Sequence, residues 1–90
     1  MSNQSYDTSA LKNKAGDVRT QNAELRSMID QLENLVNEMK GVWKDSAQTK
    51  FAQQFANMRP ELDSFCKNID SFAERAEQHA TTVEQAEDVL

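Results

Sequence analysis

The chain has 90 residues, 38 % of them hydrophobic and 28 % charged, and its fifteen acidic against ten basic side chains give a net charge of −5. With two glycines and one proline there is little turn chemistry for a many-stranded fold, so the elements must be few and long. No basic cluster is present to hold phosphates, which argues against nucleic acid as a partner, and apolar runs stay far below the roughly 20 residues that span a bilayer.

The N-terminal stretch Met1-Ser-Asn-Gln-Ser-Tyr-Asp-Thr lacks the basic and apolar regions of a secretory signal peptide, so nothing in it directs the chain to the general export route. Asp7, Thr8 and Ser9 then offer an N-cap to a first helix. From Leu11 the apolar positions step by four and three through Ala15, Val18, Asn22, Leu25, Ile29, Leu32, Val36 and Met39, the 3.6-residue period of one helix face. This predicts a helix over about residues 8–40, ending at Gly41 in the left-handed conformation that glycine favours. Asn22, the polar member of the seam, reads as a register device.

A link over 41–45 carries Trp43, and Asp45 with Gln48 three residues later reads as a capping-box variant in which Gln48 reaches back to the cap. A second helix follows over about 46–85, with a tail prone to fray. Its seam is expected at Phe51, Phe55, Met58, Leu62, Phe65, Ile69, Phe72, Ala76, His79, Val83, Ala86 and Leu90. Pro60 falls on the outward side and is expected to kink the helix without breaking it. Helices joined by so short a link run antiparallel. Met28, Leu35 and Val42 on the first helix, and Ala52, Cys66, Ala73 and Ala80 on the second, widen each apolar stripe beyond a two-helix contact. The fold class is therefore all-α: a helix-turn-helix hairpin, one domain over 1–90, that pairs with another hairpin into a four-helix bundle dimer through Met28, Leu35, Val42, Phe51, Phe55, Phe65 and Phe72.

No catalytic, metal or cofactor constellation is legible. His79 is the single histidine and reads as a polar seam residue, while Cys66, the single cysteine, reads as a small packed residue. The acids are spread along solvent faces without calcium-loop spacing.

The run from Trp43 through Asp45 and Ala47 to Phe51, mid-chain between two amphipathic helices, resembles the central motif of the WXG family, the early-secreted-antigen-like substrates of bacterial type VII secretion. The resemblance covers essentially the whole chain. Asp45 stands where the family has glycine, a mild departure since both residues cap helices. The family's C-terminal tyrosine signal is absent, and a looser pattern is matched by Val83, Glu87 and Leu90. The resemblance implies a protein made in the bacterial cytoplasm and secreted without a cleavable signal peptide. It further implies a folded homodimer that acts by protein–protein contact, without enzymatic activity or cofactors, and leaves open whether its target is a host, a competitor or the envelope. In a full-length antiparallel pair, Trp43 and Asp45 of one hairpin would lie beside the other's Val83, Glu87 and Leu90, forming the surface that the secretion ATPase reads. Two other readings stay open: a subunit that pairs with the helical N-terminal region of a larger type VII effector, and a cytoplasmic coiled-coil adaptor in which Trp43 is only a hydrophobic cap.

Overall fold

The structure, a computed structural model, describes residues 7–89, with side chains through residue 86. Two α-helices and a short 3-10 turn make up the chain, and no strand occurs among the described residues: α1 spans Thr8–Glu38, the 3-10 turn Met39–Gly41, and α2 Ser46–Val89. Each helix begins at an aspartate. The Asp7 carboxylate accepts hydrogen bonds from the Ser9 and Ala10 amides at 2.9 and 3.2 Å, and the Asp45 carboxylate accepts one from Ala47 at 2.9 Å. These amides have no carbonyl within the helix to bond to, and a cap of this kind contributes about 1 kcal/mol. Pro60 lies inside α2, which continues through it without interruption.

The end of α1 differs from the sequence expectation. Neither glycine has a positive φ, so Gly41 is not a left-handed cap. The last turn instead tightens, with the Val42 and Trp43 amides both donating to the Met39 carbonyl, at 3.1 and 2.8 Å. A 3-10 turn satisfies the terminal carbonyls without leaving the right-handed region, and so needs no glycine for its backbone.

Contacts divide the chain into two compact units, one combining Met1–Asn22 with Asn68–Leu90 and the other comprising Ala23–Lys67. In the first, α1 and α2 run antiparallel, as the pairs along them show: Lys12 binds Glu84 at 2.6 Å, Arg19 binds Glu77, and Asn22 donates to Asp70 at 2.7 Å. Thr8, Ala15 and Asn22 of α1 and Ala73 and Ala80 of α2 are buried, with Leu11, Val18, Ile69, Ala76 and Val83 half-buried around them. In the second unit Ile29 and Cys66 are buried among half-buried Leu25, Val36, Phe55 and Leu62. Arg59 ties its two helices together, donating to Asp30 at 2.6 Å, to Glu33 at 3.2 Å and to Asp63 one turn along at 2.9 Å.

Burial along α2 reverses the order expected from hydropathy. The line predicted as a flank, Cys66, Ala73 and Ala80, is the buried line, whereas Phe51, Met58, Phe65 and Phe72 of the predicted seam are exposed, Phe72 by 67 %. On α1 the predicted seam is buried at Ala15, Asn22 and Ile29, but Leu32 and Met39 are exposed. Small side chains at steps of seven let two helix axes approach closely, and phenylalanine rings in the same positions would hold them apart.

Two outcomes follow. Ala73, fully buried, has no room for added bulk, so Ala73→Leu should destabilise the helices by about 1–3 kcal/mol in urea unfolding followed by circular dichroism. Hydrogen bonds from Lys12 and then Thr8 hold the Glu84 carboxyl below its ordinary value of 4.5. The stability this confers is complete above the unfolded value and is lost as pH falls through the folded one. Glu84→Gln should therefore lower stability at neutral pH and flatten its further decline below about pH 4.5 in an acid series of urea unfolding curves.

Candidate functional site

The second unit carries the features that set this chain apart from a plain helical pair. Trp43, half-buried in the link, packs on Phe51 in the first turns of α2, ring centroids 5.4 Å apart and planes tilted by 41°. The tight turn after Glu38 places Trp43 there, and the Asp45 cap starts α2 so that Phe51 falls alongside. Offset, tilted aromatic pairs of this kind are favoured over face-to-face stacks. Together with Val36, Met39, Gln48, Gln54, Phe55 and Met58 they line an open cleft of about 440 Å³.

Gln48 does not complete a capping box. It is 5 % exposed and lines the cleft, and its amide nitrogen has no hydrogen-bond partner. Its backbone amide bonds the Asp45 carbonyl at 3.3 Å while its side chain turns to the apolar cleft, so Asp45 caps α2 alone. This residue was visible in the sequence only as a capping partner. Nothing in the spacing distinguishes a glutamine that reaches back from one that packs inward.

Around the cleft extends a field of exposed apolar side chains: Met28, Leu32, Leu35, Met39 and Val42 from α1 and its turn, and Phe51, Met58 and Phe65 from α2. By the 3.6-residue period these fall on one side of the buried seam, and Arg59 with Asp30, Glu33 and Asp63 falls on the other. The hydrogen bonds that Arg59 donates to Asp63 and Asp30 raise its own pKa above the ordinary value.

Of the residues singled out from the sequence, Trp43, Asp45, Met28, Leu35, Val42, Phe51, Phe55 and Phe65 all lie in the unit Ala23–Lys67. Phe55 is half-buried and the six other than Trp43 and Phe55 are exposed. Phe72 and Val83 belong to the other unit, Val83 half-buried, whereas the Glu87 side chain and Leu90 lie outside the described residues. His79 is exposed, not a buried member of the seam, and borders a shallow hollow with Asp7, Ala10, Leu11 and Lys14. Among the described residues no group of three His, Cys, Asp or Glu side chains could hold a metal ion, and no helix is long and apolar enough to cross a membrane.

The model of the WXG100 family, described as proteins of 100 residues with WXG, matches residues 4–88. The chain belongs to the WXG100 family. Members are small helical proteins secreted through type VII systems. Among solved structures, Geobacillus thermodenitrificans EsxA, crystal form I, shares the WXG100 hairpin with a TM-score of 0.83 at 16 % identity, over 98 % of this chain and 95 % of that one. At that identity the likeness is one of fold. The search of curated proteins found no match. The match spans the link and the Trp43–Phe51 corner of the cleft, where Asp45 caps α2.

If Phe51 supports Trp43 in the cleft, Phe51→Ala should shift the emission of this single tryptophan to longer wavelength without loss of helical signal, measured by fluorescence and circular dichroism on the same samples.

Proposed function

We propose that this protein is a type VII secretion substrate that is made in the bacterial cytoplasm, exported as a folded dimer and active through protein–protein contact. The observation that supports this reading best is the one-sided field of exposed apolar side chains. Monomeric proteins seldom show contiguous apolar patches above a few hundred Å², and larger ones mark interaction sites. Met28, Leu35, Val42, Phe51, Phe65 and Phe72, with Phe55 at the edge, are the packing residues of this dimer.

Trp43 and Asp45 in the link and Val83, Glu87 and Leu90 near the C-terminus are its determinants for the secretion ATPase. A half-buried tryptophan beside a rigidly capped helix start presents a fixed shape at one end of the hairpin, which a motor can read without unfolding the chain. After export the apolar and charged faces offer contact surface, in keeping with an action by binding.

In cells with a working type VII system, Trp43→Ala and deletion of residues 83–90 should each cut the secreted fraction about tenfold, equivalent to about 1.4 kcal/mol of lost recognition, with the cell-associated level maintained. Unchanged export of both variants, measured by immunoblot of medium and cells, would refute the assignment.

A further inference from the structure

We propose that the cleft beside Trp43 binds a single-chain anionic amphiphile, a fatty-acid-like carboxylate, with its apolar chain along the cleft and its carboxylate at Gln48. The inference goes beyond the export reading and does not depend on it.

The shape of the site fits an extended apolar chain. The cleft lies within the unit Ala23–Lys67, lined by Val36 and Met39 on the α1 side, by Phe51, Phe55 and Met58 on α2, and by Trp43 in the link between them. Its volume of about 440 Å³ falls among those of small-molecule sites, about 300–1,000 Å³. Along α2 the lining runs from Gln48 to Met58, about 15 Å of helix. That length accommodates an extended chain of about ten carbons.

Gln48 adds a requirement that an apolar chain alone does not meet. The residue is 5 % exposed, yet its amide nitrogen has no hydrogen-bond partner. A buried donor left unpaired is costly, and native structures seldom keep one without a reason. The terminal torsion of a glutamine is broad, so a small turn of the amide presents its N–H to the cleft. A carboxylate oxygen accepts that hydrogen bond, and its charge makes the bond a strong one. A purely apolar occupant would leave the donor orphaned, so chain and acceptor belong to one ligand.

The local charge selects an anion. The chain carries a net charge of −5, but within residues 39–58 Lys40, Lys44 and Lys50 stand against Asp45 alone. The Asp45 carboxylate is engaged by the Ala47 amide. All three lysines are exposed, and each is next in sequence to a lining residue: Met39, Trp43 or Phe51. The positive end of the α2 dipole adds to the same sign. A protein with this distribution repels anions over most of its surface and admits one here.

Pairing of hairpins leaves most of the site free. Of the residues assigned above to the dimer, only Phe51 and Phe55 line the cleft. The dimer therefore binds one amphiphile per chain.

Decanoate, titrated into the full-length chain below its micelle concentration, should saturate at one per chain by calorimetry. It should move the emission of the single tryptophan to shorter wavelength and leave the mass by light scattering unchanged. Octanoate, two methylenes shorter, should bind about tenfold more weakly. Gln48→Leu removes the unpaired donor and keeps the wall apolar, so it should fold and yet bind decanoate about tenfold more weakly. The double variant Lys44→Glu, Lys50→Glu should weaken it likewise, both side chains being exposed. Decyltrimethylammonium, of equal chain length and opposite charge, should leave the emission unchanged. Undiminished affinity in Gln48→Leu, equal uptake of the cationic amphiphile, or binding that does not saturate overturns the assignment. Decanoate that binds only as the mass falls by half shows a second copy to be the occupant of the cleft, and overturns it as well.

Discussion

Close approach of α1 and α2 along a line of small side chains is the constraint on which the rest of this structure depends. Cys66, Ala73 and Ala80 stand at steps of seven on α2 and are all buried, with Ala15, Asn22 and Ile29, again at steps of seven, buried on α1. So little bulk between helices brings their backbones near and makes any enlargement costly. It also decides the fate of the phenylalanines. With no space inside the hairpin, Phe51, Phe65 and Phe72 can only stand on the outer face. The hairpin therefore keeps three of its four phenylalanines out of its core, with Phe55 half-buried, and these three contribute to its exposed apolar surface.

Polar contacts hold this narrow seam in register. Thr8 and Lys12 meet Glu84, Asn22 meets Asp70, and Arg59 meets Asp30 and Glu33. Each joins α1 to α2, so a slide of one helix by a turn would break the set within its unit. Exposed ion pairs add little stability singly, and their value here is in selecting one alignment of two seams that hydrophobicity alone would define loosely. Asn22, placed on the seam by its spacing, performs this role through a bond to a carboxylate on the facing helix.

Much of this was legible in the sequence. The two helices, the aspartate caps and the α1 seam around Ala15, Asn22 and Ile29 follow from period and capping chemistry. The orientation of α2 did not follow, because it carries two apolar columns, one of small residues and one of phenylalanines, both with helical spacing. Hydropathy ranks phenylalanine above alanine, but what decides the inner column is the space between two axes, which no single helix encodes. The same limit hid the Arg59 cluster, of which only the Asp63 partner lies on the same helix, and the inward turn of Gln48. Gly41 misled for the opposite reason: the residue type suited a left-handed cap, and the backbone closed by a 3-10 turn instead.

A hairpin that puts its small residues inside and its large ones outside should depend on association for much of its stability. The direct measurement is thermal unfolding of the wild-type chain by circular dichroism over a wide range of protein concentration. Linkage to self-association predicts a midpoint that climbs with concentration, in step with a molecular mass near twice 10.2 kDa. A midpoint independent of concentration, in a fully helical chain that stays monomeric, would show that the small-residue seam suffices alone and that the phenylalanine face is not what holds two hairpins together.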